Sequence, residues 1–222
     1  MSGNRGYWIA AVALVLLAAG VSVGLYPSLP EQIPTHWNIN GQVDAYGSKH
    51  WAAFLMPAFM AGMLVLFYFL PALSPKHFEV DAFRPTYLYI MFVITALFAY
   101  LHLLILYAVW KSVAAKESFD LSRPMIAGIF LMYALLGNVL GKVRKNFYIG
   151  VRVPWTLASD RVWNDTHRLA AWIMVAAGVL GFLMTLFGVP LVYSFVLLVG
   201  SAFVPIIYSF VHYKALERRG AL

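Results

Sequence analysis

The chain has 222 residues, of which 62% are hydrophobic and 11% charged; a soluble domain carries about 25% charged residues, so one water-bounded core is excluded and lipid is the natural solvent. No cysteine is present, which rules out disulfides, thiolate metal sites and Cys nucleophiles. The net charge of +7 fits Lys and Arg gathered on cytoplasmic loops rather than a nucleic-acid surface.

Six apolar stretches follow one another, near residues 7–26, 51–70, 86–110, 124–140, 169–187 and 191–213. Each is close to the ~20 residues a helix needs to cross a bilayer. The first contains Leu17-Ala18-Ala19-Gly20, which looks a little like a cleavage site. With five spans behind it, the stretch reads as an uncleaved first helix. The expected fold is an all-α bundle of six transmembrane helices, organised as one membrane domain over residues 1–222. With the N-terminus inside, the inner connections hold twelve Lys and Arg and the outer ones four. Positive charge stays inside, so both termini are expected to be cytoplasmic. Residues 27–50 then form an ordered outer loop, and residues 142–168 a longer inner loop. Trp8, Tyr26, Trp51, Trp110, Trp172 and Tyr213 sit near span ends, where amphipathic rings anchor at the headgroups.

The outer loop contains Pro27, Pro30 and Pro34, which forbid a regular helix. Asn40-Gly41 is a tight-turn signal. A compact lid is therefore expected. His36, Asp44 and His50 offer imidazole and carboxylate groups to a metal, but their spacing matches no specific metal motif. Alternatively, Asp44 and Asn38 tie the loop to its own backbone. The His36-Trp37-Asn38 cluster also offers an aromatic face and hydrogen-bond donors to an amphipathic peptide arriving from outside.

No acidic residue lies in the middle of a span. Ion-coupled transporters keep an ionisable group at membrane depth, and intramembrane proteases need a metal pair, paired Asp or an activated Ser. Only His102 and Asn138 are conspicuously polar inside spans. Both read as groups bonded to neighbouring helices. Gly137-xxx-Gly141 and Ala177-xxx-Gly181 are small-residue patterns that let helices approach closely.

The inner loop begins with Lys142, Arg144 and Lys145, which touch anionic lipid by default. Pro154 holds Val153 extended, and Gly150 permits a turn. Ser159 reads as an N-cap, with Asp160 at the positive end of a new helix. Trp163 and His167 share one face of that helix, as do Asn164 and Arg168. Arg152 can pair with Asp160 or Asp165, and the sequence does not choose. This shaped stretch, carrying Asn146, Gly150, Arg152, Pro154, Trp155, Asp160, Trp163, His167 and Arg168, suits either an anchored cap or a docking surface for a soluble partner.

Asn146-Phe-Tyr-Ile-Gly-Val-Arg152-Val-Pro154-Trp155-Thr-Leu-Ala-Ser-Asp160-Arg-Val-Trp163-Asn-Asp-Thr-His167-Arg168 resembles the signature of the SdpI family of bacterial membrane immunity proteins. Ile33-Pro34-Thr35-His36-Trp37-Asn38, with Gly41 and Asp44, resembles the family's N-terminal motif. Val153 and Ala170-Ala171 depart from the Thr and Gly-Gly usual there. The resemblance implies protection of the cell from a secreted antimicrobial peptide toxin that attacks membranes. For members that signal, it also implies a cytoplasmic transcriptional repressor held at the membrane. On this reading the chain is a membrane immunity protein and not an enzyme. It needs no cofactor and no metal, and it binds no nucleic acid itself. His36, Trp37, Asn38, Gly41 and Asp44 form the outer recognition loop, and the inner signature forms the docking loop. Two other readings remain: a small-molecule or lipid transporter lined by Tyr100, His102, Asn138 and Ser201, and an outer-face metal enzyme using His36, Asp44 and His50.

Overall fold

A computed structural model describes residues 2–37, 43–76, 78–114 and 119–222. Among the described residues seven α-helices run in chain order: α1 (Ser2–Leu25), α2 (Lys49–Phe69), α3 (Arg84–Ala114), α4 (Ser122–Leu140), α5 (Pro154–Ala158), α6 (Asp160–Leu186) and α7 (Leu191–Arg218). Among the described residues, six helices are long and apolar enough to cross a membrane, and they correspond to the six expected spans. Their large side chains point outward, with Trp172 at 73% and Trp51 at 68% exposure. A water-soluble fold would bury such rings; here the outer surface is hydrocarbon-facing. Pro57 and Pro205 lie inside α2 and α7 and are buried, a placement that helices packed in a membrane tolerate.

Between α1 and α2 the chain forms an antiparallel hairpin of β1 (Gln32–Trp37) and β2 (Val43–Ser48). This is more than the ordered loop read from the sequence. Gln32 pairs with Ser48 and Trp37 with Val43. The register shifts after Pro34 and again after His36. Pro34 has no N–H to give the ladder, and shifts of this kind re-aim side chains. The inner connection also differs from a plain loop, because it contains the short helix α5.

The residues group into two compact units, Met1–Tyr68 with Met91–Ile129, and Phe69–Ile90 with Phe130–Leu222. In the first, Ile33 of the hairpin is fully buried against Leu29, Ala53, Leu106 and Val109. Deeper in that unit, Ala18, Met60 and Ala99 form a second cluster. In the second unit, α4 and α6 meet through small residues. A Cβ added at Gly137 would lie 2.9 Å from the backbone nitrogen of Val175, and one at Gly178 would lie 2.6 Å from that of Ala134. Small residues let backbones approach this closely in a membrane. Asn138, expected to glue helices together, is instead exposed on α4, because Gly137 takes the contact face.

Candidate functional site

The hairpin is tied down at its base. Lys49 Nζ lies 2.7 Å from Glu31 Oε1, and the Lys49 backbone N–H donates to the Glu31 carbonyl at 3.1 Å. The hydrogen bond from Lys49, and then its charge, hold the Glu31 carboxyl below its ordinary range. Nearer the turn, His36 Nδ1 and Asp44 Oδ1 are hydrogen-bonded at 2.5 Å across the strands. The second register shift falls beside these residues, which explains how side chains of two strands meet head-on. Asp44 thus bonds His36, while the turn backbone to which the sequence reading tied it lies outside the described residues. His50 does not join them, because its ring bonds the Tyr26 hydroxyl. Among the described residues no three metal-ligating side chains are gathered. Trp37 belongs to β1; its side chain, with Asn38 and Gly41, lies outside the described residues.

Beside the hairpin, a cavity of ≈ 460 Å³ is lined by Pro34, Thr35, Trp51, Leu55, Phe98 and His102, among others. Trp51 and Leu55 are exposed, so the cavity opens on the apolar flank of the helices. At its base His102 is 2% exposed. The Ser22 hydroxyl donates to the Ala53 carbonyl at 2.7 Å. That uses its only hydrogen, so the 2.7 Å contact with His102 Nε2 is a ring N–H donating to Ser22. Ser22 and His102 therefore tie α1, α2 and α3 together, as the sequence reading of a helix-bonded His102 expects.

The inner loop is built around two buried side chains. Asn146 is fully buried, and its Oδ1 accepts the backbone N–H groups of Tyr148 at 2.7 Å and Ile149 at 2.8 Å. Its Nδ2 donates to the carbonyls of Arg144 and Ile149. One Asn thus replaces the backbone partners that the tight turn leaves open. His167, on α6, accepts the Val151 N–H at Nε2, 3.0 Å, and donates from Nδ1 to the Trp163 carbonyl at 2.8 Å. Its ring stacks on Trp163 with centroids 3.9 Å apart. The Trp163 indole N–H donates to the Val143 carbonyl at 2.9 Å. Gly150 has φ 112°, and any Cβ there would strike the His167 ring.

Several expectations change here. Arg152 bonds neither Asp160 nor Asp165; its guanidinium donates to the Phe147 carbonyl. Asp160 takes Lys145 at 2.6 Å, and Asp165 takes His212 at 3.0 Å. Trp155 turns inward, donating its indole N–H to Ser209 and packing edge-on against Phe210. Pro154 starts α5 behind an extended Val153, and Ser159 caps α6 by accepting the Val162 N–H. Thr156, not singled out from the sequence, is fully buried and bonds both Val151 and Val153. Its hint was the spacing to Val153 across Pro154, a turn-sized interval. Arg152, Pro154, Asp160 and Arg168 remain exposed.

A second cavity, of ≈ 390 Å³, lies between the start of this loop, the residues leading into α3 and the first turn of α6. Its walls include Phe78, Glu79, Arg144, Lys145, Asp160 and Trp163. The two expected polar stretches therefore each fold into a shaped element with an adjoining cavity within its own unit.

Residues 142–209 match the SdpI/YfhL protein family. Residues 13–61, which include the hairpin and much of the first cavity's wall, match a domain of unknown function, DUF1648. Over 170 residues the chain is 29% identical to the immunity protein SdpI of Bacillus subtilis (strain 168), covering 77% of this chain and 77% of that protein. No solved structure matches the chain.

Proposed function

The chain belongs to the SdpI/YfhL family and is a multi-pass protein of the cell membrane, and from that premise we propose that it is an immunity protein protecting the cell that carries it against a secreted antimicrobial peptide toxin. The observation that carries this reading is the hairpin beside its lateral apolar cavity. A membrane-active peptide has an apolar face and polar groups. The cavity's apolar lining suits the first, and the exposed His36–Asp44 pair suits the second. Burial of an anchor side chain in a pocket with a polar rim is how compact interfaces concentrate affinity.

The excess of Lys and Arg on the inner connections supports an orientation with the hairpin outside and residues 142–168 in the cytoplasm. The inner loop supports a further role as a sensor output. Its backbone is fixed by Asn146, Thr156 and His167, while Arg152, Arg161 and Arg168 stay exposed. A rigid cationic platform suits an acidic face of a soluble partner, such as a transcriptional repressor held at the membrane. Signalling requires the peptide to favour one of two states of the protein.

The test is survival of cells expressing the chain when challenged with a secreted membrane-active peptide. Alanine at Trp37, Asn38, His36 or Asp44 is expected to sensitise the cells at normal protein level. Alanine at Arg152 or Arg168 is expected to spare survival and lose partner capture. Unchanged survival across the hairpin variants would sink the recognition reading.

A further inference from the structure

The cavity beside Arg144 lies at a defined depth. With their apolar cores starting near residues 86 and 169, two helices long and apolar enough to span a membrane begin at Val80 and Asp160, and another ends at Leu140. Glu79 and Asp160 stand at those boundaries. Arg144 and Lys145 follow Leu140 by only a few residues, and the Trp163–Val143 bond draws that segment back beside the first turn of α6. The polar layer of a bilayer is about 5–8 Å thick on each side, the difference between the full and hydrocarbon thicknesses. The helix from Ala82 to residue 86 and from Asn164 to residue 169, at ~1.5 Å rise per residue, spans about that depth. The ≈ 390 Å³ cavity therefore borders the headgroup layer, within reach of a lipid headgroup.

Its charges are also divided in a specific way. Lys145 and Asp160 neutralise each other at 2.6 Å, and Lys145 leans over the Phe78 ring. Phe78 in turn packs on Phe147 with centroids 4.3 Å apart. Two charged side chains in the wall are left over. Among the described residues, neither the Arg144 guanidinium nor the Glu79 carboxylate has a hydrogen-bond or ion-pair partner. One cation and one anion thus face the same space.

We propose that this cavity binds a zwitterionic phosphoethanolamine headgroup, with Arg144 on the phosphate and Glu79 on the primary ammonium. A guanidinium fork matches two phosphate oxygens. A carboxylate accepts N–H bonds from an ammonium, which a trimethylated choline cannot donate. An anionic headgroup such as phosphoglycerol gains Arg144 but meets Glu79 with like charge and no donor in place of the ammonium. The default attraction of Lys and Arg for anionic lipid is cancelled here by Asp160 and opposed by Glu79.

The experiment uses the full chain, purified in detergent and delipidated. Binding is read by native mass spectrometry with phosphatidylethanolamine, phosphatidylglycerol and phosphatidylcholine of identical acyl chains. Phosphatidylethanolamine is expected to be retained about fivefold better than either competitor, the upper range for a partly exposed charge pair. Glu79→Gln should bring the ethanolamine-to-glycerol ratio to about one, and Arg144→Gln should weaken retention of both lipids. Lys142→Gln, a cation outside the cavity, should change nothing. Soluble phosphoethanolamine should compete, while inorganic phosphate at the same concentration should not. Equal or better retention of phosphatidylglycerol by the unaltered chain overturns the proposal. So does an unchanged ratio in Glu79→Gln, or equal displacement by inorganic phosphate, which would mark a plain anion site. The comparison of lipids on the unaltered protein needs no variant to fold.

Discussion

The backbone N–H of Val151 donates to Nε2 of His167 at 3.0 Å, while Nδ1 of the same ring donates to the Trp163 carbonyl at 2.8 Å. The first nitrogen must be bare and the second must carry the proton, so the ring is neutral. Both nitrogens are consumed. A histidine expected in the docking loop is therefore the pin that holds the loop against α6. Gly150, next to Val151, presses its backbone onto that ring.

Gly150→Ala tests this pin directly. The native φ of 112° is strained for any residue with a Cβ, at roughly 1–3 kcal/mol. The added carbon would also collide with His167 Nε2, which the ring's two hydrogen bonds hold in place. A loss of about 3 kcal/mol is expected from strain and displacement together. Thermal unfolding in detergent should show it as a fall of about 6–12 °C. A shift below a degree would mean that the loop does not need this conformation.

His167→Phe separates stacking from hydrogen bonding. Phenylalanine can keep the face-to-face contact with Trp163, now 3.9 Å between centroids, but cannot accept the Val151 N–H. A buried donor left unpaired costs about 1–3 kcal/mol. Backbone amide exchange should quicken at Val151 while the α6 amides beyond the first turns stay protected. Unaltered exchange at Val151 would show that the bond to Nε2 contributes nothing.

The six spans were legible because hydrophobicity and length are properties of the chain alone. Ser159 as an N-cap and the shared face of Trp163 and His167 were legible for the same reason, since caps and helix faces are local. The hairpin was only half visible: Pro34 and Asn40-Gly41 announced a folded lid, but strand register depends on which residues meet across the turn. Partner choice was hidden throughout. Asp160 takes Lys145 and Asp165 takes His212, and neither pairing follows from spacing. Trp155 read as part of the docking loop because nothing near it in sequence says that α7 passes beside it. The small-residue patterns pointed to the right helices, yet Gly178, one residue past Ala177, makes one of the closest contacts. A period of four residues fixes a face only to within about a residue.

Acid should loosen the hairpin base through Glu31. Lys49 holds its carboxyl below the ordinary value of 4.5. A carboxyl depressed in the folded state adds stability that is present above its unfolded value. That stability is lost as pH falls through the lower folded value. The Glu31–Lys49 contribution should thus be intact at neutral pH and disappear somewhat below pH 4.5. Glu31→Gln should unfold at a lower temperature than the unaltered chain at pH 6, and at the same temperature near pH 3. A gap that persists at pH 3 would assign the effect to something other than the carboxylate charge.

Gly178→Ala asks whether α4 and α6 are held by close backbone approach. The new methyl would sit 2.6 Å from the Ala134 nitrogen and 2.8 Å from its Cα. These are backbone atoms, so no rotamer change can relieve the contact and the helices must separate. In lipid no hydrophobic gain compensates, because the bilayer is as apolar as the interface. Overpacking of this kind costs about 1–3 kcal/mol. Gly62→Ala supplies the matched control: it lies within α2, and a Cβ there meets nothing within 4 Å. Alanine is the better helix former by about 1 kcal/mol, so that variant should unfold no earlier than the unaltered chain. The expected result is a lowered unfolding temperature for Gly178→Ala alone. Equal behaviour of the two variants would mean that the α4–α6 contact is looser than 2.6 Å implies.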